Sequence, residues 1–172
     1  MVLNRRELEN LIEELPSNQA ALGEIYDLMY NDVFRYIYGI VHSKEYAQDL
    51  THDTFIHIYK NAKKYEKKGH PAAWIMTISR HITYMSLRKT NREQTVDYEI
   101  EHVDESMASI HDKLMIDKMM KYLDIKEREI IVLHVVEGLT FREVANVMDE
   151  KLSTVLNKYH RSLKKLKKSL EM

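Results

Sequence analysis

Histidine is the residue type in this chain that most readily suggests chemistry. The 172-residue sequence contains nine histidines, and it contains the pairs His52-Asp53 and His111-Asp112. Such pairs occur in metal-dependent phosphohydrolases, which also require further His and Asp ligands. His52 and His57 lie about 140° apart around a helix, and no cysteine is present to complete a coordination shell. We therefore expect no metal site.

Motifs for covalent or acid–base catalysis are also missing from the sequence. There is no glycine-rich phosphate loop, no GxSxG motif and no separated pair of catalytic carboxylates. The sequence has only four Gly and two Pro, which disfavours β-sandwiches and barrels because they need many turn residues. Rossmann-type folds are disfavoured as well, because their phosphate loops need clustered glycines. The sequence thus predicts an all-α protein that is not an enzyme, with no catalytic residue and no cofactor.

Positive charge is concentrated in two blocks, although the formal net charge of the chain is only −1. Residues 59–92 contain nine basic residues and one acidic residue, and residues 151–172 contain seven and one. The intervening residues 93–112 contain seven acidic residues and no basic one. Clusters of Lys and Arg are typical of phosphate binding, so the two blocks indicate a nucleic-acid partner. A solvated helix face is the alternative interpretation of each block.

The elements that must position these charges are helices. Apolar residues spaced by three and four predict one helix over residues 20–42. Ser43 is a good N-cap for a second helix, and Pro71 suits the first turn of a third, which we expect to end near Lys89. Between the second and third helices, the basic segment 62–72 predicts a loop.

The C-terminal part of the chain has the pattern of a helix-turn-helix. Gly138 is expected to end one helix, and Thr140 with Glu143 forms a capping box for a short one. A longer basic helix then runs from about residue 152 to the end. Its predicted packing face consists of Leu152, Val155, Tyr159, Leu163 and Leu166. Its opposite face presents Ser153, Thr154, Asn157, Lys158 and Arg161. Polar and cationic groups near a helix N-terminus suit the major groove of DNA, although a plain helical hairpin would show a similar pattern.

Two helical domains, residues 1–91 and 112–172, are predicted on either side of an acidic linker at residues 92–111. No apolar run approaches the roughly 18 residues of a membrane span. The N-terminal sixteen residues are charged throughout, which excludes a signal peptide. We therefore expect a cytoplasmic protein without direct membrane insertion.

Three stretches of the sequence resemble one family. AQDLTHDTFIHIYKNAKKY and AAWIMTISRHITYMSLRK resemble region two of the ECF (extracytoplasmic-function, group IV) sigma factors of bacterial RNA polymerase. EREIIVLHVVEGLTFREVANVMDEKLSTVLNKYHRSLKKLKK resembles region four of the same group. The resemblance covers about residues 22–91 and 113–170. In this sequence Asp149 stands where relatives usually carry Gly, and we expect Asp to tolerate the left-handed backbone of that turn.

The resemblance implies a subunit that binds core RNA polymerase and directs promoter recognition and transcription initiation. The implied partners are the clamp coiled coil of the largest polymerase subunit, promoter DNA and an anti-sigma factor. The residues implied to bind core polymerase are Asp49, Leu50, Thr51, Asp53, Thr54 and Phe55. Those implied to bind the −10 element are Lys63, Lys64, Lys67, Lys68, His70, Arg80, His81, Tyr84, Arg88 and Lys89. Those implied to bind the −35 element are Ser153, Thr154, Asn157, Lys158, Arg161 and Lys165.

Two other functions fit parts of this pattern. One is a stand-alone helix-turn-helix regulator that dimerises through its N-terminal helices and does not bind polymerase. The other is a helical protein that sequesters a partner and binds no DNA. Affinity for core polymerase separates the sigma-factor interpretation from both.

Overall fold

Long amphipathic helices build the N-terminal unit, defined here as residues 5–93. The structure, a computed structural model, describes residues 5–67, 69–93 and 122–170 of the chain. The helices of the N-terminal unit are α1 (Arg5–Glu14), α2 (Ala21–Val41), α3 (Lys44–Asn61) and α4 (Pro71–Glu93), with a 3₁₀ turn at Ala62–Lys64. The helix predicted over residues 20–42 is therefore confirmed. The third predicted helix begins at Pro71 as expected but continues beyond Lys89 to Glu93.

The core of the N-terminal unit follows the apolar spacing of α2. Ile25, Met29, Val33 and Ile37 repeat every fourth residue and are completely buried. They pack with apolar side chains of α1, α3 and α4 in one continuous core. Each such aliphatic side chain contributes about 1.5–3 kcal/mol on burial, so apolar packing holds the four helices together.

The C-terminal unit, residues 122–170, contains the helix-turn-helix. Its helices are α5 (Ile125–Ile131), α6 (Phe141–Met148) and α7 (Leu152–Leu170), and a π-helical turn at Val132–Val136 extends α5. Asp124 with Glu127 and Thr140 with Glu143 form capping boxes at α5 and α6. The second of these was predicted from the sequence and is confirmed, whereas the π-helical turn was not predicted.

Two residues with a left-handed backbone follow helical segments of the C-terminal unit. Gly138 has φ +69°, which is the conformation expected for the residue that ends a helix. Asp149 has φ 52° and follows the last residue of α6. The backbone N–H of Asp149 donates to the Ala145 carbonyl, which satisfies an otherwise unpaired group at the helix end. Asp149 thus adopts the left-handed turn that the sequence predicts there.

The packing face of α7 differs from the predicted one. Val155 is buried and Tyr159 and Leu166 are partly buried, but Leu152 and Leu163 are 36% and 41% exposed. Ser162 lies inside instead, with its hydroxyl bonded to the Lys158 carbonyl at 2.8 Å. The buried line therefore follows 155, 159, 162 and 166, and Leu163 falls about 100° away from Ser162 around the helix.

The two units pack directly against each other. Contacts run mainly between α4 and α6 and between α2 and α5. Within the described ranges every regular element is helical, in agreement with the predicted fold class. The acidic linker predicted at residues 92–111 lies outside the described residues, apart from its first two, which belong to the end of α4. None of the described helices has the length and apolarity that crossing a bilayer requires.

Candidate nucleic-acid interface

A basic loop, defined here as residues 62–67 with 69 and 70, precedes α4. It carries several residues predicted to bind the −10 element. Lys63, Lys64 and Lys67 are exposed there. The Lys67 ammonium lies 2.8 Å from the Glu13 carboxylate of α1, while Lys64 donates to a side-chain oxygen of α3. Lys68 lies outside the described residues. The loop therefore offers a group of cations at the surface, as phosphate binding requires.

Helix α1 holds this loop through one carboxylate. Glu9 accepts a hydrogen bond from the Tyr65 hydroxyl at 2.8 Å and another from the Gly69 backbone N–H at 2.9 Å. These two bonds hold the pKa of Glu9 below its usual range. Gly69 has φ +72°, a backbone conformation that favours glycine. The N-terminal helix, for which the sequence predicts no function, thus fixes the conformation of the loop.

An open cleft of about 420 Å³ lies beside this loop. Its walls include Lys64, Tyr65, His70 and Trp74 from the N-terminal unit, and Asn146 from α6. Trp74 is half-buried and meets Tyr65 edge to face, with ring centroids 5.1 Å apart. Aromatic walls beside cations are the combination on which unstacked bases bind.

The other side chains predicted to bind the −10 element lie on α4, and two of them are already engaged. The Arg80 guanidinium donates to Glu129 of α5 at 2.8 Å, and the Tyr84 hydroxyl donates to the same carboxylate at 3.0 Å. Burial and the charge of Glu129 raise the pKa of Tyr84. In contrast, His81, Arg88 and Lys89 are exposed on α4. The predicted −10 surface is thus partly solvent-facing and partly covered by the C-terminal unit.

A second carboxylate of the C-terminal unit contacts the basic loop. His70 Nδ1 lies 2.9 Å from Glu143 Oε1, and Arg5 lies 3.5 Å from the same oxygen. Burial raises the pKa of Glu143, but hydrogen bonds from Thr140 and His70 outweigh it and hold that pKa below the usual value. Glu143 therefore serves the capping box of α6 and also contacts the N-terminal unit.

The residues predicted to bind core polymerase divide between the surface and the core. Leu50 and Phe55 are 3% exposed, and the buried hydroxyls of Thr51 and Thr54 donate to backbone carbonyls of the same helix. Only Asp49 and Asp53 of the predicted set face solvent. The other four positions pack the interior of the N-terminal unit.

The same exposed face of α3 carries two large apolar side chains that sequence analysis did not single out. Ile56 is 49% exposed and Tyr59 is 43% exposed. Together with Asp49 and Asp53 they follow the spacing of three and four that marks one helix face. Their exposure could not be predicted from the sequence, because it depends on which helices pack against α3.

Helix α7 presents only part of the predicted −35 set to solvent. Ser153 and Asn157 are exposed, and Thr154 and Lys158 are half-buried. Arg161 and Lys165 instead donate to the buried Glu127, at 2.9 Å and 2.7 Å. These bonds outweigh the effect of burial and lower the pKa of Glu127. The N-terminal half of α7 is therefore the part that is open to a DNA groove.

Metal binding requires several ligating side chains grouped around one point. Within residues 5–67, 69–93 and 122–170, no group of three or more His, Cys, Asp or Glu side chains is placed to bind an ion. His52 stacks on the Tyr26 ring with centroids 6.1 Å apart and so belongs to an aromatic row on α2 and α3.

Two family models match the chain, one for each unit. Residues 25–93 match Sigma-70 region 2, and residues 113–166 match Sigma-70 region 4. Together these matches span more than two thirds of the chain.

Individual relatives cover nearly the full length of the chain. ECF RNA polymerase sigma factor SigX of Bacillus subtilis (strain 168) is 24% identical over 160 residues, which cover 86% of this chain and 82% of the relative. ECF RNA polymerase sigma factor SigK of Mycobacterium sp. (strain KMS) is 25% identical over 162 residues, which cover 88% and 84%.

Two solved structures share the fold. CnrH, in a complex with the cytosolic domain of CnrY, superposes with a TM-score of 0.74 at 19% identity and covers 96% of this chain and 97% of that one. The sigma factor RpoE of Bartonella quintana, in a complex with the anti-sigma factor NepR, gives a TM-score of 0.73 at 20% identity and covers 87% and 96%.

Proposed function

Since this chain belongs to the ECF group of RNA polymerase sigma factors, we propose that separate surfaces of its two units carry polymerase binding, −10 binding and −35 binding. The protein binds core RNA polymerase and directs it to promoters. The observation that supports the division of labour is the presence of three distinct exposed faces, on α3, on the loop with α4, and on α7. Each face has the chemistry that its proposed partner requires.

The exposed face of α3 is the proposed contact with the clamp coiled coil of the largest polymerase subunit. Asp49 and Asp53 supply negative charge, and Ile56 with Tyr59 supplies apolar area beside it. A helix face that carries apolar area next to charged side chains is suited to packing against another helix pair.

The test of this surface is the double substitution of Asp49→Asn and Asp53→Asn. We expect core polymerase to bind the variant at least about tenfold more weakly, because charge complementarity across the interface is lost. The matched control is Glu24→Gln with Asp27→Asn, which removes two charges from exposed positions on α2. Equal affinity of both variants, measured by titration with labelled core polymerase, would contradict the assignment to α3.

The basic loop, the adjoining cleft and α4 form the proposed −10 surface. The aromatic walls at Tyr65 and Trp74 can hold an unstacked base, and the lysines of the loop neutralise the strand beside it. His81, Arg88 and Lys89 extend the cationic surface along α4. Strand opening needs no catalytic group, since the binding energy of the separated strand drives the opening. We therefore propose that the chain is not an enzyme.

The N-terminal half of α7 is the proposed −35 surface. Asn157 can pair with the adenine edge and Lys158 with guanine in the major groove. Replacing both residues with Ala should reduce promoter discrimination by about 1–3 kcal/mol for each base that is no longer recognised. Lys167→Ala is the control, because it removes the same charge from the exposed far end of α7. Unchanged preference between cognate and mutated −35 duplexes in the double variant would place the reading face elsewhere.

An anti-sigma factor is a further proposed partner, and the cytoplasm, where core polymerase acts, is the proposed location. The basis is that RpoE, which shares this fold, is found in a complex with the anti-sigma factor NepR. An anti-sigma factor for this chain should compete with core polymerase, which a competition titration measures directly.

A further inference from the structure

Glu129 is a buried carboxylate whose hydrogen bonds come from the other unit. It lies on α5 and is 1% exposed. Its Oε1 accepts from the Tyr36 hydroxyl at 2.6 Å and from Arg80 Nε at 2.8 Å, and its Oε2 accepts from the Tyr84 hydroxyl at 3.0 Å. All three of these donors belong to the N-terminal unit. Because burying a carboxylate without partners is costly, Glu129 stabilises the molecule only while the two units are closed on each other.

Glu143 makes a second link of the same kind on α6. Its Oε1 lies 2.9 Å from His70 and 3.5 Å from Arg5, both in the N-terminal unit. Asn146, one turn further along the same helix, forms part of the wall of the cleft beside the basic loop. The C-terminal unit thus places two carboxylates and an amide against the proposed −10 surface.

The groups engaged by these carboxylates are the ones that a DNA strand would use. Arg80, Tyr84 and His70 all belong to the proposed −10 surface, and each already donates to, or lies beside, a carboxylate oxygen. Carboxylates and phosphates take the same hydrogen bonds from arginine. A guanidinium whose Nε–H is held by Glu129 cannot place the same N–H on a phosphate.

We propose that Glu129 and Glu143 act as internal competitors of the promoter strand and hold the chain in a closed state in which its −10 surface is blocked. The part of this inference that concerns DNA rests on the proposed function. The face of α3 with Asp49, Asp53 and Ile56 stays exposed in the closed state, so core polymerase has a docking surface before the −10 surface opens. Only open molecules bind the strand, so the apparent affinity of the chain for DNA is reduced by the fraction of molecules that are open.

Distance measurements between the two units test closure without reference to DNA. The sequence contains no cysteine, so Glu45→Cys on α3 and Lys164→Cys on α7 introduce one label site in each unit at exposed positions. In the full chain, Glu129→Gln should shift the distance distribution to longer values. Asp149→Asn, which removes a carboxylate from the exposed turn between α6 and α7 and suits the left-handed backbone there, should not.

A second variant keeps the test decisive if Glu129→Gln folds poorly. Tyr36→Phe removes a single hydroxyl from a completely buried side chain and preserves its shape. It should also lengthen the distances, though less than Glu129→Gln, while helical content by circular dichroism stays unchanged. Identical distance distributions in the unsubstituted chain, Tyr36→Phe and Glu129→Gln would overturn the proposal.

Strand binding supplies the functional readout. The probe is a fluorescent single-stranded oligonucleotide with the −10 sequence of a promoter mapped by transcription with this chain. Without core polymerase, Glu129→Gln should bind it about tenfold more tightly than the unsubstituted chain, and Asp149→Asn should bind it as the unsubstituted chain does. Equal affinity of Glu129→Gln and the unsubstituted chain would overturn the competition. Failure of both to bind core polymerase would instead refute the proposed function, while the distances would still decide whether the chain closes.

Discussion

The two units of this molecule bury different kinds of polar group. In the N-terminal unit, with the exception of Glu9, the buried polar side chains are hydroxyls such as Thr51, Thr54 and Thr83. These three bond to carbonyls one turn earlier in their own helices. The C-terminal unit instead buries three carboxylates, Glu127, Glu129 and Glu143. The three threonine hydroxyls are thus satisfied within their own helices, whereas the three glutamates also take partners from distant parts of the chain.

The difference follows from size and from function. The N-terminal unit packs four helices around an apolar core that continues into the C-terminal unit, and the stability of the N-terminal unit comes mainly from area removed from water. Two of the three helices of the C-terminal unit are short, and the side of α7 that we propose to face DNA must stay polar. The carboxylates of Glu127, Glu129 and Glu143 pair with cationic side chains at the ends of helices and at the boundary between the units. We therefore expect apolar substitutions to weaken the first unit independently of salt, and charge substitutions to weaken the second in a way that salt and pH modify.

The largest effect is expected from Ile25→Ala in the core of the N-terminal unit. This side chain is completely buried in α2, so its truncation leaves a cavity and loses apolar burial. The free energy of unfolding should fall by about 2–5 kcal/mol, equally at low and high salt. Urea denaturation at two salt concentrations measures this, with Ile56→Ala, at an exposed position of α3, as the control. A loss below about 1 kcal/mol would show that α2 does not carry the core.

The corresponding substitution in the C-terminal unit is Glu127→Gln. It removes the charge that Arg161 and Lys165 share and weakens the capping box with Asp124. We expect a loss of about 1–3 kcal/mol near neutral pH that shrinks in high salt. The folded-state pKa of Glu127 is lowered, so its contribution is present above the unfolded pKa and is lost as the pH falls through the folded one. An effect independent of both salt and pH would contradict an electrostatic role.

Glu137, where the two units meet, should respond to pH in the opposite direction. Burial and the nearby Asp32 raise its pKa to about 7, although Arg35 lies 3.4 Å away and opposes this. Protonation is thus favoured by folding, and stability should fall as the pH rises from about 4.5 to 7. Glu137→Gln mimics the protonated form, so it should raise stability by about 1–2 kcal/mol at pH 8 and leave it unchanged at pH 4. Thermal unfolding of both proteins between pH 4 and pH 8 measures this difference in stability. A stabilisation that does not vary with pH would show that Glu137 does not titrate in that range.

The smallest effect concerns the turn of the helix-turn-helix. Asp149 holds a left-handed φ of 52° between α6 and α7. Asp149→Gly should raise the free energy of unfolding by about 0.5–1 kcal/mol, since glycine adopts that conformation without steric cost. Asp149→Ala should lower it by a similar amount. If both variants are equally stable, then the backbone conformation is not what limits the choice of residue at this turn.

Local features of the fold could be predicted from the sequence because they depend on neighbouring residues. The cap at Ser43, the capping box of Thr140 with Glu143, and the left-handed turn at Asp149 were all predicted and are present. Each depends on backbone groups no more than a few positions away. The all-α fold follows for the same reason, because periodicity of apolar residues determines helices locally.

Features that depend on packing between distant segments could not be predicted in this way. A glutamate such as Glu129 looks like a surface residue in the sequence, since its burial depends on three donors from the other unit. Ser162 replaces Leu163 at the packing face for a similar reason, because the angle at which α7 crosses its neighbours decides which residue points inward. The candidate site was therefore predicted by residue type, but not which of its members are covered.

The most direct test is transcription in vitro with the purified chain, core RNA polymerase and genomic DNA fragments. Stoichiometric binding to core polymerase and start sites absent with core alone are the predicted result, and the mapped start sites identify the −10 and −35 sequences. Specific DNA binding without affinity for core polymerase would contradict the sigma-factor assignment and indicate a stand-alone helix-turn-helix regulator.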